Sequence, residues 1–251
     1  MLNIVIPMAG RGSRFKEAGY VFPKPLIDVK GRTMIEVVAR NLRPKGNYRF
    51  VFICQREHVK EYDLHNILKN VTDNKFEIVQ IDGITAGAAC TVLCATPYID
   101  NDDEMLIANS DQFIDIDIDS FLGEAKHGAK DGLIMTFEAS HPKWSYARTD
   151  ENGMVLEVAE KKVISHQATV GIYYFAHGKD FVAGAEEMIK KDIRYNNEFY
   201  VCPVYNELIL DGKKYILTPS MRKRCMVSAR QKIWKHSLEN WRLVRWSSLS
   251  A

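Results

Sequence analysis

The sequence predicts an α/β fold, a single three-layer αβα domain over residues 1–220 with a mixed, mostly parallel sheet. First, short apolar, β-branched runs alternate with amphipathic stretches, which is typical of a parallel sheet covered by helices on both faces. Second, 46% of the 251 residues are hydrophobic and 26% are charged, as in globular chains with a sizeable core. Third, the alternation loosens after Asp131, where only turns separate several strands. We therefore expect an antiparallel extension of the same sheet.

Eight runs are predicted as strands and six stretches as helices. The strands are residues 2–8, 50–54, 76–81, 105–108, 133–137, 155–159, 170–175 and 215–217. The helices are residues 34–42, 59–68, 87–95, 121–126, 179–190 and 201–210. The first strand is apolar almost throughout, which is typical of a central strand buried on both faces.

The net charge of +2 is the sum of three unlike segments. Residues 1–50 carry 10 basic against 3 acidic side chains, residues 51–220 carry 16 against 28, and residues 221–251 carry 8 against 1. The overall basic character thus comes from the last segment, and we expect no nucleic-acid partner.

The composition also predicts a cytoplasmic protein. The apolar run 4–8 is too short for a signal peptide, and no stretch approaches the ~20 apolar residues that span a bilayer, so we expect no membrane partner. The five cysteines form no C-x-x-C pair and are expected to be free, buried thiols. The sequence does not indicate an oligomeric state.

The first strand runs into a glycine-rich segment, AGRGSRF at residues 9–15. Glycines allow backbone N–H groups to point at an anion, and Arg11 and Arg14 add donors that suit phosphate oxygens. Lys24 follows between two prolines, which hold it in place. A dinucleotide fingerprint fits poorly because Phe15 replaces its third glycine, and no P-loop Gly-Lys-Ser/Thr follows. We interpret the segment as a polyphosphate site; a structural glycine turn is the alternative.

Three further segments carry polar or small residues beside predicted strands. Asp111 follows the strand at 105–108, where ligands bind in open α/β sheets, although a helix cap is the alternative. Residues 115–119 alternate Asp and Ile, which indicates either an exposed acidic face with Asp119 as a helix cap or a D-x-D metal motif. The small residues of 84–89 indicate either close approach to a flat ring or tight helix packing.

Together these motifs resemble the sugar-phosphate nucleotidyltransferase family. The matches are G-x-G-[ST]-R over residues 10–14 and P-K-P-[LM] over residues 23–26, and the resemblance continues to about residue 217. It implies a Rossmann-like, GT-A-like fold of the nucleotide-diphospho-sugar transferase type. It also implies an enzyme that uses Mg²⁺ as cofactor.

The resemblance assigns roles to individual residues. Arg14, Lys24 and Lys161 would be catalytic through positioning and charge neutralisation, and Asp111 would bind Mg²⁺. The acceptor-binding residues would be Glu160, Gly171 and Glu198, although a solvated ion pair is the alternative for Glu160 and Lys161. The nucleotide-binding residues would be Ala9, Gly10, Gly12, Ser13, Thr85, Gly87 and Asn109.

The implied reaction is in-line attack of an acceptor phosphate oxygen on the α-phosphorus of a nucleoside triphosphate, with release of pyrophosphate. Residues 109–112, 141–146 and 197–200 look nearest to capsule-gene cytidylyltransferases that act on phosphoglutamine. The implied partners are therefore CTP and a phosphorylated small molecule, in capsule or surface polysaccharide biosynthesis. The alternatives are uridylyl, thymidylyl or guanylyl transfer to a sugar 1-phosphate, a nucleotide-sugar-dependent glycosyltransferase, and an inactive nucleotide-binding protein.

Residues 221–251 form an atypical basic tail with three of the four tryptophans and none of the eight prolines. Met226 is encoded by ATG, and the codon of Val227 begins with GT. The third base of the first codon and the first two bases of the second therefore form GGT, which encodes Gly in the neighbouring frame. Permitted codons through Lys235 then spell the Gly-Thr-Pro-Glu-Asp-Leu-like ending of the family. We interpret the tail as non-native, frameshifted between about Leu217 and Arg222, and expect it to lack a packed partner. A basic amphipathic or solvated helix is the alternative.

Overall fold

The computed structural model describes residues 1–10, 22–128, 131–219 and 227–228. The strands in these residues are β1 (Leu2–Pro7), β2 (Tyr48–Gln55), β3 (Phe76–Ile81), β4 (Glu104–Ala108), β5 (Gln112–Phe113), β6 (Gly132–Glu138), β7 (Tyr146–Thr149), β8 (Val155–Ala159), β9 (Gln167–Phe175), β10 (Tyr215–Pro219) and β11 (Val227–Ser228). The α-helices are α1 (Met34–Leu42), α2 (Arg56–Glu61), α3 (Leu64–Thr72), α4 (Ala88–Leu93), α5 (Thr96–Ile99), α6 (Ile118–Gly128), α7 (Gly178–Lys190) and α8 (Val204–Leu210).

Nine strands form one mixed sheet. Seven lie in the order β10-β6-β9-β4-β1-β2-β3, and the β7–β8 pair joins the sheet through β7 and β9. The pairs β1–β2, β1–β4, β2–β3 and β6–β10 are parallel. The pairs of β9 with β4, β6 and β7 are antiparallel, as is β7–β8. The predicted fold class is confirmed, including the antiparallel extension in the second half.

Helices cover both faces of this sheet. On β1, Ile4 belongs to the core cluster beneath α1, α3 and α6, whereas Val5 belongs to the cluster beneath α4, α5, α7 and α8. Both side chains have no solvent-exposed area. Burial of alternate side chains on opposite faces places β1 at the centre of the three layers and fixes where Ala9 and Gly10 follow it.

Several predicted elements differ from the observed ones. The helix predicted at 59–68 is wrong as a single element, because α2 and α3 are separated at Asp63, whose φ of 48° breaks the helix. The helix predicted at 201–210 begins only at Val204, after Pro203. Cys54 and Cys202 are buried as expected, but Cys90 and Cys94 are only half-buried, and all four are free thiols.

Two residues of the basic tail, Val227 and Ser228, pair with another strand of the chain. β11 pairs antiparallel with β5, so the expectation that the tail lacks a partner is wrong at Val227 and Ser228. The rest of residues 221–251 lies outside the described residues. Within the described ranges, no helix is long and apolar enough to cross a bilayer.

Candidate active site

Four parallel strands end at one edge of the sheet and bring their following loops together. Ala9 and Gly10 follow β1, Gln55 is the last residue of β2, residues 82–87 follow β3, and residues 109–111 follow β4. Ligands of open α/β sheets bind at this carboxyl edge. The predicted nucleotide-binding residues Gly12 and Ser13 and the predicted catalytic Arg14 lie outside the described residues.

The ion pair between Lys24 Nζ and Asp111 Oδ2 joins a predicted catalytic residue to the predicted metal ligand. Lys24 starts a 3₁₀ turn, Lys24–Leu26, in which Leu26 N donates a hydrogen bond of 2.8 Å to Pro23 O. The two side chains remain 26% and 16% exposed, so solvent and ligands can reach both. The pair can therefore exchange its internal contact for contacts to a phosphate and a cation.

The chemistry of Asp111 fits a magnesium ligand. A carboxylate is a hard oxygen donor, and Mg²⁺ in proteins often takes one or two carboxylates while water and substrate phosphates complete the octahedron. Among the residues that the structure describes, no group of three or more His, Cys, Asp and Glu side chains could hold a metal ion. Asp111 could thus contribute one ligand to a site shared with a substrate.

The D-x-D interpretation of residues 115–119 gains no support from the local contacts. Asp117, not Asp119, caps α6: its carboxylate accepts from Asp119 N at 3.2 Å and Ser120 Oγ at 2.8 Å. Asp119 Oδ1 instead accepts a hydrogen bond of 3.0 Å from Lys45 N. The capping residue predicted at Asp119 therefore lies two positions earlier.

The loop between β3 and α4 is held against the segment at Phe199. Gly87 has a φ of +134°, and a Cβ there would collide with the Phe199 backbone. Phe199 N donates to Ala86 O at 2.8 Å, and Ala89 N donates to Phe199 O at 3.0 Å. Only glycine fits this close approach of two backbones. The packing of the loop therefore requires glycine at position 87, independently of the predicted contact with the base.

Thr85 stabilises the same loop. Its Oγ1 lies 3.0 Å from Gly87 O and 2.6 Å from Thr91 Oγ1, and Thr91 Oγ1 lies 3.1 Å from Gly87 O. Because each hydroxyl has a single hydrogen, one threonine donates to this carbonyl and the other donates to its neighbour's hydroxyl. The Thr85 hydroxyl therefore shapes the loop.

Asn109 and Gly171 are brought together by the β4–β9 ladder, in which Ala108 pairs with Ile172. Gly171 has a φ of +83°, and a Cβ there would collide with Asn109 Nδ2. Asn109 Nδ2 also donates to Gln112 Oε1 at 2.9 Å. One predicted nucleotide-binding residue thus packs on one predicted acceptor-binding residue.

Lys161 lies in a cluster of polar and aromatic side chains. Its Nζ donates to Tyr200 Oη at 2.6 Å and lies 3.4 Å from Glu160 Oε1. The same ammonium lies 4.1 Å and 4.8 Å from the ring centres of Tyr200 and Tyr195. Burial lowers the pKa of Lys161, but the Tyr200 hydrogen bond and the Glu160 charge outweigh it and raise the pKa overall. Lys161 is therefore a fixed cation at neutral pH.

Glu160 is the buried carboxylate of this cluster, with its side chain only 8% exposed. Burial raises its pKa, and the hydrogen bond from Ser145 Oγ and the charge of Lys161 oppose that shift. Burial raises the pKa of Tyr200, the hydrogen bond from Lys161 opposes that shift, and the exposed Glu198 carboxylate adds to it. The three predicted residues Glu160, Lys161 and Glu198 thus belong to one group of interacting side chains.

Three further residues contact predicted site residues: Gln55, which no motif contains, and Ser145 and Tyr200, which the sequence includes only as members of the segments 141–146 and 197–200. Gln55 Nε2 donates to the carbonyl oxygens of Ala9 and Gly83, each at 2.6 Å. Ser145 contacts Glu160, and Tyr200 contacts Lys161. The only available signal was their position at strand ends or beside predicted site residues.

The chain belongs to the nucleotidyl transferase family, because the family model with that description matches residues 4–201. It is similar to the low-salt glycan biosynthesis nucleotidyltransferase Agl11 of Haloferax volcanii, with 24% identity over 212 residues, 83% of this chain and 57% of that protein. It is also similar to the bifunctional protein GlmU of Methanocaldococcus jannaschii, with 27% identity over 179 residues, 69% of this chain and 40% of that protein. The chain thus spans less than two thirds of the length of either relative.

Solved structures show the same fold. A nucleoside-diphosphate-sugar pyrophosphorylase from Vibrio cholerae matches with a TM-score of 0.79 and 25% identity, over 94% of this chain and 99% of that one. The inositol-1-phosphate CTP transferase from T. maritima matches with a TM-score of 0.72 over 96% of this chain and 97% of that one. At 14% identity, the second likeness concerns the fold alone.

Proposed function

We propose that this chain transfers a nucleoside monophosphate from a nucleoside triphosphate to a phosphorylated small molecule and releases pyrophosphate. The observation that carries the proposal is the Lys24–Asp111 pair at the carboxyl end of β4, in a member of the nucleotidyl transferase family. It places a cation suited to phosphates in contact with a carboxylate suited to a divalent metal.

The proposed chemistry needs positioning and charge neutralisation more than a protein base. An acceptor phosphate is already anionic near neutral pH, so its oxygen can attack the α-phosphorus without losing a proton to the protein. Lys24 and Arg14 would neutralise the triphosphate and the departing pyrophosphate, and Asp111 would hold Mg²⁺. When bound, Mg²⁺ supplies further neutralisation of phosphate charge.

On the acceptor side, Lys161 would hold the acceptor phosphate. Its position is supported by the hydrogen bond to Tyr200 and by the neighbouring Glu160. Glu160, Glu198 and Gly171 would contact the body of the acceptor. Ala9, Gly10, Gly12, Ser13, Thr85, Gly87 and Asn109 would bind the nucleotide.

At the finer level, we propose CTP as the donor and phosphoglutamine as the acceptor, in capsule or surface polysaccharide biosynthesis. Support comes from the resemblance of residues 109–112, 141–146 and 197–200 to cytidylyltransferases of that kind. Nucleotidyl transfer to a sugar 1-phosphate is the second candidate, favoured by the similarity to the Vibrio cholerae pyrophosphorylase.

A pyrophosphate-release assay tests the proposal. CTP, UTP, GTP, ATP and dTTP are each combined with phosphoglutamine or with sugar 1-phosphates in the presence of Mg²⁺. We expect release only when a triphosphate and an acceptor are both present, with CTP and phosphoglutamine the most active pair. Lys24→Ala and Asp111→Ala should each lower the rate by about 10²–10³ while circular dichroism shows a folded chain. Near-normal turnover in either variant would contradict the proposed roles.

A further inference from the structure

Gln55 is a buried polar side chain at the carboxyl edge of the sheet, only 6% exposed. It is the last residue of β2, which lies between β1 and β3. Its Nε2 donates one hydrogen bond of 2.6 Å to Ala9 O and another of 2.6 Å to Gly83 O. Because a side-chain amide has two N–H hydrogens, both donors of this amide are used on main-chain carbonyls.

The two carbonyls belong to different loops. Ala9 opens the glycine-rich segment after β1, and Gly83, with a φ of +77°, lies in the loop that connects β3 to α4. β1 and β3 are separated by β2, so their ends lie about 10 Å apart. The β1–β2 register runs to Pro7 and Ile53, and the β2–β3 register runs to Gln55 and Ile81. Beyond those pairs, the Gln55 side chain joins the two loops.

We propose that Gln55 is a positioning residue for nucleotide binding, which fixes the separation between the phosphate loop and the base loop. The inference rests on the proposed function, since that function assigns phosphates to the loop after β1 and the base to the loop after β3. A bound nucleotide would contact both loops, with its phosphates on the loop after β1 and its base on the loop after β3. If the separation of the loops changes, the nucleotide cannot make both sets of contacts at full strength. Lys161, Glu160 and Tyr200 do not contact Gln55, so a substitution of Gln55 should leave the binding of the acceptor unchanged.

Two substitutions separate this role from simple packing. Gln55→Met keeps the length and volume of the side chain but removes both donors. Gln55→Glu replaces the amide by a carboxylate, which faces two carbonyl oxygens without a hydrogen to share. We expect the Kd and the KM for CTP to rise about 10-fold in Gln55→Met and further in Gln55→Glu, with the KM for the acceptor unchanged.

Asn101→Ala is the matched control. Asn101 lies at the opposite edge of the sheet, where its Nδ2 donates to Tyr98 O at 3.0 Å and its Oδ1 accepts from Asp103 N at 2.9 Å. The substitution also removes two side-chain hydrogen bonds to the main chain. It should lower the melting temperature without changing the Kd for CTP.

Isothermal titration calorimetry measures the Kd for CTP in each variant and tests the role of Gln55 without depending on catalytic activity. An unchanged Kd in Gln55→Met, together with a lowered melting temperature, would make Gln55 merely structural and overturn the inference. If Gln55→Met does not fold, Gln55→Asn keeps the donors on a shorter side chain and must raise the Kd. A wild-type chain that binds CTP but releases no pyrophosphate would contradict the proposed function, and the Kd comparison would still decide on Gln55. A wild-type chain that binds no nucleoside triphosphate would overturn both.

Discussion

The Tyr200 hydroxyl accepts a hydrogen bond from Lys161 Nζ, and its ring lies beneath the same ammonium. Tyr200→Phe removes the hydroxyl and keeps the ring. We expect the KM for the phosphorylated acceptor to rise about 5- to 10-fold, since the lysine loses the hydrogen bond that fixes its position. The Kd for CTP should stay unchanged.

Tyr195→Phe is the control for this substitution, because Tyr195 presents its ring to Lys161 Nζ at 4.8 Å. Its acceptor KM should match the wild type. Equal acceptor KM values for Tyr200→Phe and wild type would show that the hydroxyl does not position Lys161.

The ionisation of Glu160 makes the stability of the folded chain depend on pH. Burial raises its pKa above the ordinary value of 4.5. The stability that Glu160 contributes is therefore fully present below that ordinary value and is lost as the pH rises through the folded-state pKa. Glu160→Gln does not ionise, so the melting temperature of this variant relative to wild type should increase from about pH 4 to about pH 7. Thermal melts at each pH check this, and a difference that does not vary with pH would contradict it.

At the level of single residues, the sequence predicted those that belong to spaced motifs. Lys24 and Asp111 were predicted as partners in one site, and the structure brings them into contact. Gln55 was not predicted, and Tyr200 was included only as a member of the segment 197–200, without a role of its own. A lone polar residue at the end of a strand has no spacing that distinguishes it from a solvated residue, and its partners are main-chain carbonyls or a side chain far along the chain.

At the level of elements, the approach of the β3–α4 loop to Phe199 depends on Gly87. Gly87→Ala adds a Cβ that meets the Phe199 backbone, at a φ of +134°. We expect a loss of about 2–4 kcal/mol in the free energy of unfolding, measured in urea, together with a raised Kd for CTP because the loop must shift.

Gly153→Ala separates the effect of strain from that of collision. Gly153 has a φ of +80°, and a Cβ there would meet nothing within 4 Å. This variant should lose only about 1 kcal/mol and bind CTP as the wild type does. Similar losses in the two variants would mean that the contact with Phe199 is not the cause.

The strands were predicted better than the helices, for a physical reason. Residues 76–81 and 155–159 predict β3 and β8 to the residue, although both strands are only partly buried, because β-branched and aromatic side chains that alternate with polar ones favour a strand. β7 was missed, since four residues of mixed polarity carry little periodicity. The break at Asp63 was missed because a single residue in the left-handed region leaves no pattern in its neighbours.

At the level of the whole molecule, the charge distribution separates the tail from the domain. Residues 1–220 carry 26 basic against 31 acidic side chains, so the net positive charge of the chain comes from residues 221–251. We propose that these residues are translated in a shifted frame. β11 places Val227 and Ser228 beside Phe113 and Gln112, close in sequence to Asp111.

The gene sequence checks this proposal directly. The codons for residues 225–235 should spell Tyr-Gly-Leu-Gly-Thr-Pro-Glu-Asp-Leu-Glu in the neighbouring frame. Restoring that frame should raise turnover, because the family's closing segment over the nucleotide would be present. Codons that do not spell this stretch would rule out the frameshift.

The most direct measurement of the central claim follows the phosphates of CTP. The wild-type chain is incubated with phosphoglutamine and Mg²⁺, using CTP radiolabelled at either the α- or the γ-phosphate. Nucleotidyl transfer predicts that the α-label appears in the acceptor product and the γ-label in pyrophosphate. Transfer of the γ-label to the acceptor, or an α-label that stays in free nucleotide with every acceptor tested, would contradict the account.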